Sequence, residues 1–134
     1  MNSEIRSLYV HFPFCRHLCN YCDFHKSILD SSKLDVFNRS FKESVIIHKK
    51  FLDEHNYKLD NLRTIYIGGG TPSLWGPQGI EFLLNLLERV DVKLDKDIEF
   101  TCELNPGSWN ANSISKMIDL GVNRFSVGVQ SFND

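Results

Sequence analysis

No run of apolar residues in this chain approaches the ~20 needed to span a bilayer. The amino terminus, MNSEIRSLYVHFPF, carries Glu4 early, and His11 and Pro13 interrupt its short apolar stretch, so it makes a poor signal peptide. Charge of one sign is missing as well. Fifteen basic residues are scattered among 17 acidic ones, for a net charge of −2. The like-charge pair Lys49-Lys50 falls in a predicted helix and reads as a solvated face. Nucleic acid and anionic membranes are therefore not expected partners. Linkers, repeats and low-complexity tracts are absent too. What is there is globular: 42% hydrophobic residues and ten Phe in 134 positions, enough for one domain with a modest core. The expected compartment is the cytoplasm, where thiols stay reduced.

Cysteine is scarce, and its distribution is uneven. Of four in the chain, three crowd into FPFCRHLCNYCDF (12–24) as Cys15, Cys19 and Cys22, with no fourth thiol beside them. A disulfide framework wants an even number, and reduced thiols clustered in this way bind metal or react more often than they bridge. A 4Fe-4S cluster needs one outer ligand on each iron, so three thiolates leave one iron open for a substrate or cofactor. Zinc held by three cysteines and one of His11, His17 or His25 is the alternative. It lacks the longer loop that separates ligand pairs in zinc fingers, and His17 between two cysteines would strain to reach the same ion. Cys102 lies in an apolar stretch and reads as a small buried hydrophobe.

Four stretches carry strand signals: 7–12, 63–70, 97–104 and 123–130, the third ending at the turn Asn105-Pro106-Gly107. Helical spacing runs through 33–55, 77–90 and 112–120, with Pro77 suited to a first turn and Gly121 to a carboxyl cap. The order β-α-β-α-β-α-β predicts an α/β fold with parallel strands and right-handed crossovers. An open doubly wound sheet and part of a β/α barrel both fit, and both collect ligands at the carboxyl ends of the strands. The chemistry-bearing residues fall at those ends. The cysteines follow the first strand, GGGTP (68–72) follows the second, Glu103 and Asn105 close the third, and Gln130 closes the fourth. A buried parallel sheet has both faces covered. The sequence stops at SFND without a helix over strand four, so 1–134 reads as the incomplete first part of a longer barrel domain, inactive alone for want of a far wall.

Cys-x3-Cys-x2-Cys after a first strand resembles the signature of radical S-adenosylmethionine (SAM) enzymes. LYVHFPFC, YIGGGTPSL, ELNPG and NRFSVGVQSFND together resemble, within that superfamily, the oxygen-independent coproporphyrinogen III oxidase group, including its HemW-type heme chaperone branch. The resemblance implies the amino-terminal portion of a partial (β/α)6 barrel. It also implies a 4Fe-4S cluster whose open iron binds SAM, reductive cleavage of the sulfonium, and an electron donor. Cys15, Cys19 and Cys22 would be the cluster ligands. Tyr9, Tyr21, Gly69, Gly70, Thr71, Glu103 and Gln130 match positions around SAM in the group. Oxidases of the group resemble one another in a further cysteine two positions after the third. This chain has Phe24 there, as in the HemW-type branch, which implies heme trafficking ahead of porphyrinogen decarboxylation. A heme site, in the full-length protein, would lie downstream. His11 is expected to pack under the cysteine loop, His48 on a helix face and His55 at the surface.

Overall fold

A computed structural model describes residues 3–133. In chain order its elements are β1 (Ser3–Glu4), β2 (Ser7–Phe12), β3 (Phe14–Cys15), β4 (Ser27–Ile28), α1 (Ser31–Glu54), β5 (Tyr57–Lys58), β6 (Asn61–Gly69), α2 (Gly76–Arg89), β7 (Lys93–Leu104), α3 (Ala111–Asp119) and β8 (Arg124–Val127). A single 3-10 turn, Pro72–Leu74, leads into α2. The four long strands form one parallel sheet in the order β2-β6-β7-β8, while β1 pairs with β5 and β3 with β4.

The first strand and the three helices lie within two residues of their predicted positions. Local chemistry fixes the helix starts: Asp30 caps α1 through the Lys33 N–H at 2.8 Å, and Asn110 and Ser113 form a reciprocal capping box on α3. Strand ends differ more. β7 starts at Lys93, four residues early, because Lys93 and Leu94 pair with Asn61 and Leu62 before a register shift. Its charged segment 93–97 carries no strand pattern of its own, so the neighbouring strand supplies the order. β8 stops at Val127, where Gly128 N–H turns to the Leu104 carbonyl at 2.9 Å. The two-residue strands are too short to leave a periodic signal.

Strand order settles which architecture the pattern describes. Neighbours in the sheet follow chain order without a reversal, so the switch point of a doubly wound sheet is missing. The two faces differ as well. Val10, Phe12, Ile65, Ile67, Phe100, Cys102 and Leu104 are buried in one core with Ile80, Leu83 and Leu87 of α2 and Met117 of α3. Alternation sends Tyr9, His11, Tyr66 and Glu103 to the opposite face, where Tyr9 is 58% exposed. Coverage of both faces, expected for a parallel sheet, is not found among the described residues: the helices pack on one face only. The sheet is an arc of the barrel type, and no closed barrel occurs among the described residues.

Trp75 centres the aromatic part of the core. Its ring stacks on Phe12 at 5.7 Å, meets Phe37 and Phe41 edge-on at 5.7 Å, and donates from Nε1 to Asn38 Oδ1 at 3.0 Å. These contacts reach from the sheet to α1, which has no fully buried residue of its own. Gly79 of α2 lies against the same ring; a Cβ there would sit 2.1 Å from Trp75 Cγ. Alanine at a helical glycine gains about 1 kcal/mol of propensity, whereas overpacking a held ring costs about 1–3 kcal/mol. Gly79→Ala should therefore lower the melting temperature, measured by circular dichroism.

The α1 cap carries a pH signature. Ser32 Oγ and then the Lys33 N–H hold the Asp30 carboxyl down from 3.8 to about 2. The charged form is thus favoured in the folded chain. Its contribution is complete above pH 3.8 and is lost as pH falls through about 2. Asp30→Ala should melt earlier than the parent at pH 6, and the gap should narrow between pH 4 and 2 in paired thermal melts.

Candidate functional site

The cysteine loop begins where the sheet runs out. Beyond the last β2–β6 pair, Gly70 N–H donates to the Phe12 carbonyl at 2.7 Å and Thr71 N–H to the Phe14 carbonyl at 2.8 Å. From the other side Ser27 N–H reaches the Pro13 carbonyl at 2.7 Å, and Leu29 N–H the Cys15 carbonyl at 2.9 Å. Residues 16–26 are therefore a loop clasped at its base by β3 and β4. The clasp needs glycines opposite it. Gly69 has φ +114°, a conformation side chains avoid, and a Cβ on Gly70 would lie 2.6 Å from the Phe14 carbonyl oxygen and 3.0 Å from Cys15 Sγ.

Above the clasp lies a cavity of about 640 Å³. Cys15, Cys19, Cys22 and Tyr21 line it from the loop, Gly69, Gly70 and Thr71 from the end of β6, Glu103 from β7 and Gln130 from beyond β8. Cys15 is buried at 9% exposure, Cys22 is half-buried and Cys19 is exposed. All four cysteines are free thiols. Among the described residues, no three His, Cys, Asp or Glu side chains converge closely enough to form a metal-holding group. The three thiols share the cavity wall without meeting at a point. Their chemistry fits a sulfur-ligated cluster: three soft donors, a cavity wide enough for more than a single ion, and the missing Cβ of Gly70 next to Cys15 Sγ.

Glu103 is held from two directions. Tyr66 Oη donates to Oε1 at 2.6 Å and Gly69 N–H to Oε2 at 3.2 Å. The hydrogen bond to Glu103, then burial, pushes the Tyr66 phenol above its usual range. Tyr9 is the one expected site residue outside the cavity lining. Its ring packs on Tyr66 with centroids 6.1 Å apart, and its hydroxyl lies 3.0 Å from His11 Nδ1. His11 Nε2 is 3.1 Å from the His25 carbonyl oxygen, which can only accept. Nε2 therefore carries the proton, Tyr9 donates to Nδ1, and His11 ties the far end of the cysteine loop to β2. Burial, then Glu103, raises the Tyr9 phenol.

Several further lining residues complete the rim, among them Asn105, which the sequence already places at the end of the third strand. Asn105 Nδ2 donates to Thr71 Oγ1 at 3.1 Å, and Ser108 hydrogen-bonds both Asn105 and Ser73, so the rims after β6 and β7 are one network. Within the turn Asn105-Pro106-Gly107 these roles could not be told from turn propensity. Arg16 Nη1 reaches the Gly107 carbonyl at 3.3 Å across the cavity mouth. Lys26 Nζ donates to the Cys19 carbonyl at 3.1 Å and to the Cys22 carbonyl. Lys26, followed by the Phe24 backbone N–H, lowers the Cys22 thiol toward thiolate. Cys102 differs: burial, then Glu103, pushes its thiol up to about 12, and it lies off the cavity.

A parallel β/α arc with three thiols and a carboxylate at its carboxyl rim defines a class of ligand-binding barrel protein. Residues 9–134 match the model described as the Radical SAM superfamily, and the chain belongs to that superfamily. It is 40% identical over 135 residues to the heme chaperone HemW of Lactococcus lactis subsp. lactis (strain IL1403), covering 100% of this chain and 33% of that protein. With the heme chaperone HemW of Escherichia coli (strain K12) it shares 35% identity over 137 residues, covering 96% of this chain and 32% of that one. Among solved structures, the radical SAM enzyme coproporphyrinogen III oxidase (HemN) from Escherichia coli superposes with a TM-score of 0.84 at 26% identity, covering 99% of this chain and 30% of that chain. The chain thus spans about a third of the length of the curated relatives it matches. Among the described residues no helix is long and apolar enough to cross a membrane.

The Gly70 contact is testable without any cofactor. Gly70→Ala should displace Cys15 from under the rim, so that thiol titration under native conditions finds a third fast-reacting cysteine beside Cys19 and Cys22. An unchanged titration would mean that the clasp tolerates a methyl group.

Proposed function

We propose that this chain forms the cluster- and SAM-binding part of a radical SAM protein of the HemW type, serving heme trafficking. The observation that carries the reading is the single cavity shared by three thiols and by side chains from the ends of four parallel strands. Cys15, Cys19 and Cys22 would hold a 4Fe-4S cluster, and Tyr21, Gly69, Gly70, Thr71, Glu103 and Gln130 would line the space for SAM. Tyr9 would act from behind, through His11 and Tyr66. When bound, the cluster and SAM supply one-electron reductive chemistry, with electrons from an external donor.

The chain's own residues divide the remaining work. Gly69 and Gly70 keep the wall beside Cys15 free of side chains, leaving room for close approach of a ligand. Glu103, already oriented by Tyr66 and Gly69, keeps lone pairs free to accept from an ammonium or ribose hydroxyls. The Asn105–Thr71 hydrogen bond holds the two rims in register. Tyr21 and Phe24 offer apolar surface that would exclude water.

Heme as cargo, and the cytoplasm as the working compartment, follow from the likeness to HemW proteins. Phe24, 65% exposed at the cavity wall, supports this branch, because it stands where the oxidases of the group resemble one another in having a cysteine. The second reading is decarboxylation of coproporphyrinogen III, supported by the TM-score of 0.84 to the oxidase. Anaerobic reconstitution with iron and sulfide should give about four irons per chain and a cluster spectrum that SAM perturbs. Cys19→Ala should abolish that spectrum. Stoichiometric zinc without it would sink the cluster reading. Conversion of coproporphyrinogen III by the full-length protein would favour the second reading over the first.

A further inference from the structure

Among the described residues lining the cavity, Arg16 and Lys26 carry permanent positive charge. Arg16 directs its guanidinium across the mouth to the Gly107 carbonyl. Lys26 turns inward, with its ammonium donating to the Cys19 and Cys22 carbonyls. Cys22 N–H also reaches the Cys19 carbonyl, at 3.3 Å, so the Cys19–Cys22 segment is a turn folded around the Lys26 head. Among the described residues no ion pair includes Lys26. Its ammonium is held by backbone carbonyls, in a cavity whose lining also carries the carboxylates of Asp23 and Glu103.

Three thiolates would leave a 4Fe-4S core with net negative charge, and reduction would add one more electron. A fixed cation at hydrogen-bond distance from the backbone of two ligands favours the electron-rich state by Coulomb attraction, and the effect is large where solvent is excluded. It also holds the two ligand residues in one turn before any metal arrives. We propose that Lys26 is a positioning residue for the cluster loop, whose positive charge both organises Cys19 and Cys22 and raises the reduction potential of the bound cluster. This rests on the reading that Cys15, Cys19 and Cys22 hold a 4Fe-4S cluster.

A plain structural staple would need only hydrogen bonds, so charge and donors must be separated. Lys26→Arg keeps both, Lys26→Gln keeps donors without charge, and Lys26→Met removes both. Each is reconstituted anaerobically beside the parent chain. Iron is counted, and the potential is measured by a redox titration followed by electron paramagnetic resonance. Loaded Gln and Met variants should show about tenfold less reduced cluster at a fixed potential, equivalent to about −59 mV for a one-electron couple, with Arg close to the parent. If the neutral variants lose iron while Arg retains it, charge is still the requirement. Unchanged potentials in fully loaded neutral variants would overturn the proposal, as would an Arg variant that behaves like Met. A parent chain that takes up no iron would sink the cluster reading itself, and the role of Lys26 with it.

Discussion

The structure depends on one close approach, that of Gly70 to the Phe14–Cys15 backbone. Two strands normally end their pairing when side chains diverge. Here the absence of Cβ on Gly70 lets the hydrogen-bond ladder continue past β2 into the cysteine segment, through the Phe12 and Phe14 carbonyls. That continuation anchors Cys15 at the sheet edge, and the β3–β4 clasp then sets where the loop leaves and returns. Without it, Cys15 and the two cysteines of the eleven-residue loop 16–26 would have no fixed relation to the rim formed by β6 and β7. The geometry of the site is thus inherited from the sheet, with the loop contributing the thiols.

Polarity divides the sheet into a supporting face and a chemical face. The apolar residues of β2, β6 and β7 bind the helices through Trp75, Phe12, Leu83 and Met117 and make the scaffold rigid. The alternate positions present Tyr9, His11, Tyr66 and Glu103, joined by short hydrogen bonds and by aromatic packing. They form two hydrogen-bonded pairs, Tyr9–His11 anchoring the far end of the cysteine loop and Tyr66–Glu103 at the rim, joined by the packing of the Tyr9 and Tyr66 rings. Serine and asparagine side chains after β6 and β7 form a separate set of hydrogen bonds that joins those two rims.

Charge in the loop is arranged for thiolates. Lys26 favours ionised Cys22, whereas burial and Glu103 keep Cys102 protonated a few residues from the same rim. The same element, sulfur, is thereby given two environments: a thiol lowered toward thiolate in the loop, and a buried, protonated core filler in β7. The chain's membership of the radical SAM superfamily is the chemical context for the proposal that these loop thiols act as cluster ligands.

The spacing of apolar residues and the helix caps made the βα alternation legible from the amino acids alone. The cysteine spacing and the placing of Glu103 and Asn105 at the end of the third strand were legible too, because these are local features, whereas Gln130, expected to close the fourth strand, lies three residues beyond Val127, where β8 stops. Extended β7 was not legible, since its charged first half takes its conformation from the pairing with β6. Nor were Lys26, Arg16 and Ser108, whose partners lie on other turns of the chain or on carbonyls, which every residue possesses. The βα alternation by itself left open the choice between a doubly wound sheet and a barrel arc; the motif resemblance pointed to the barrel, and the strand order agrees. Both share the same alternation, and they differ only in the order in which strands pair and in which face the helices cover. Those are decisions of long-range packing, made where the apolar face of the sheet found all its helices on one side.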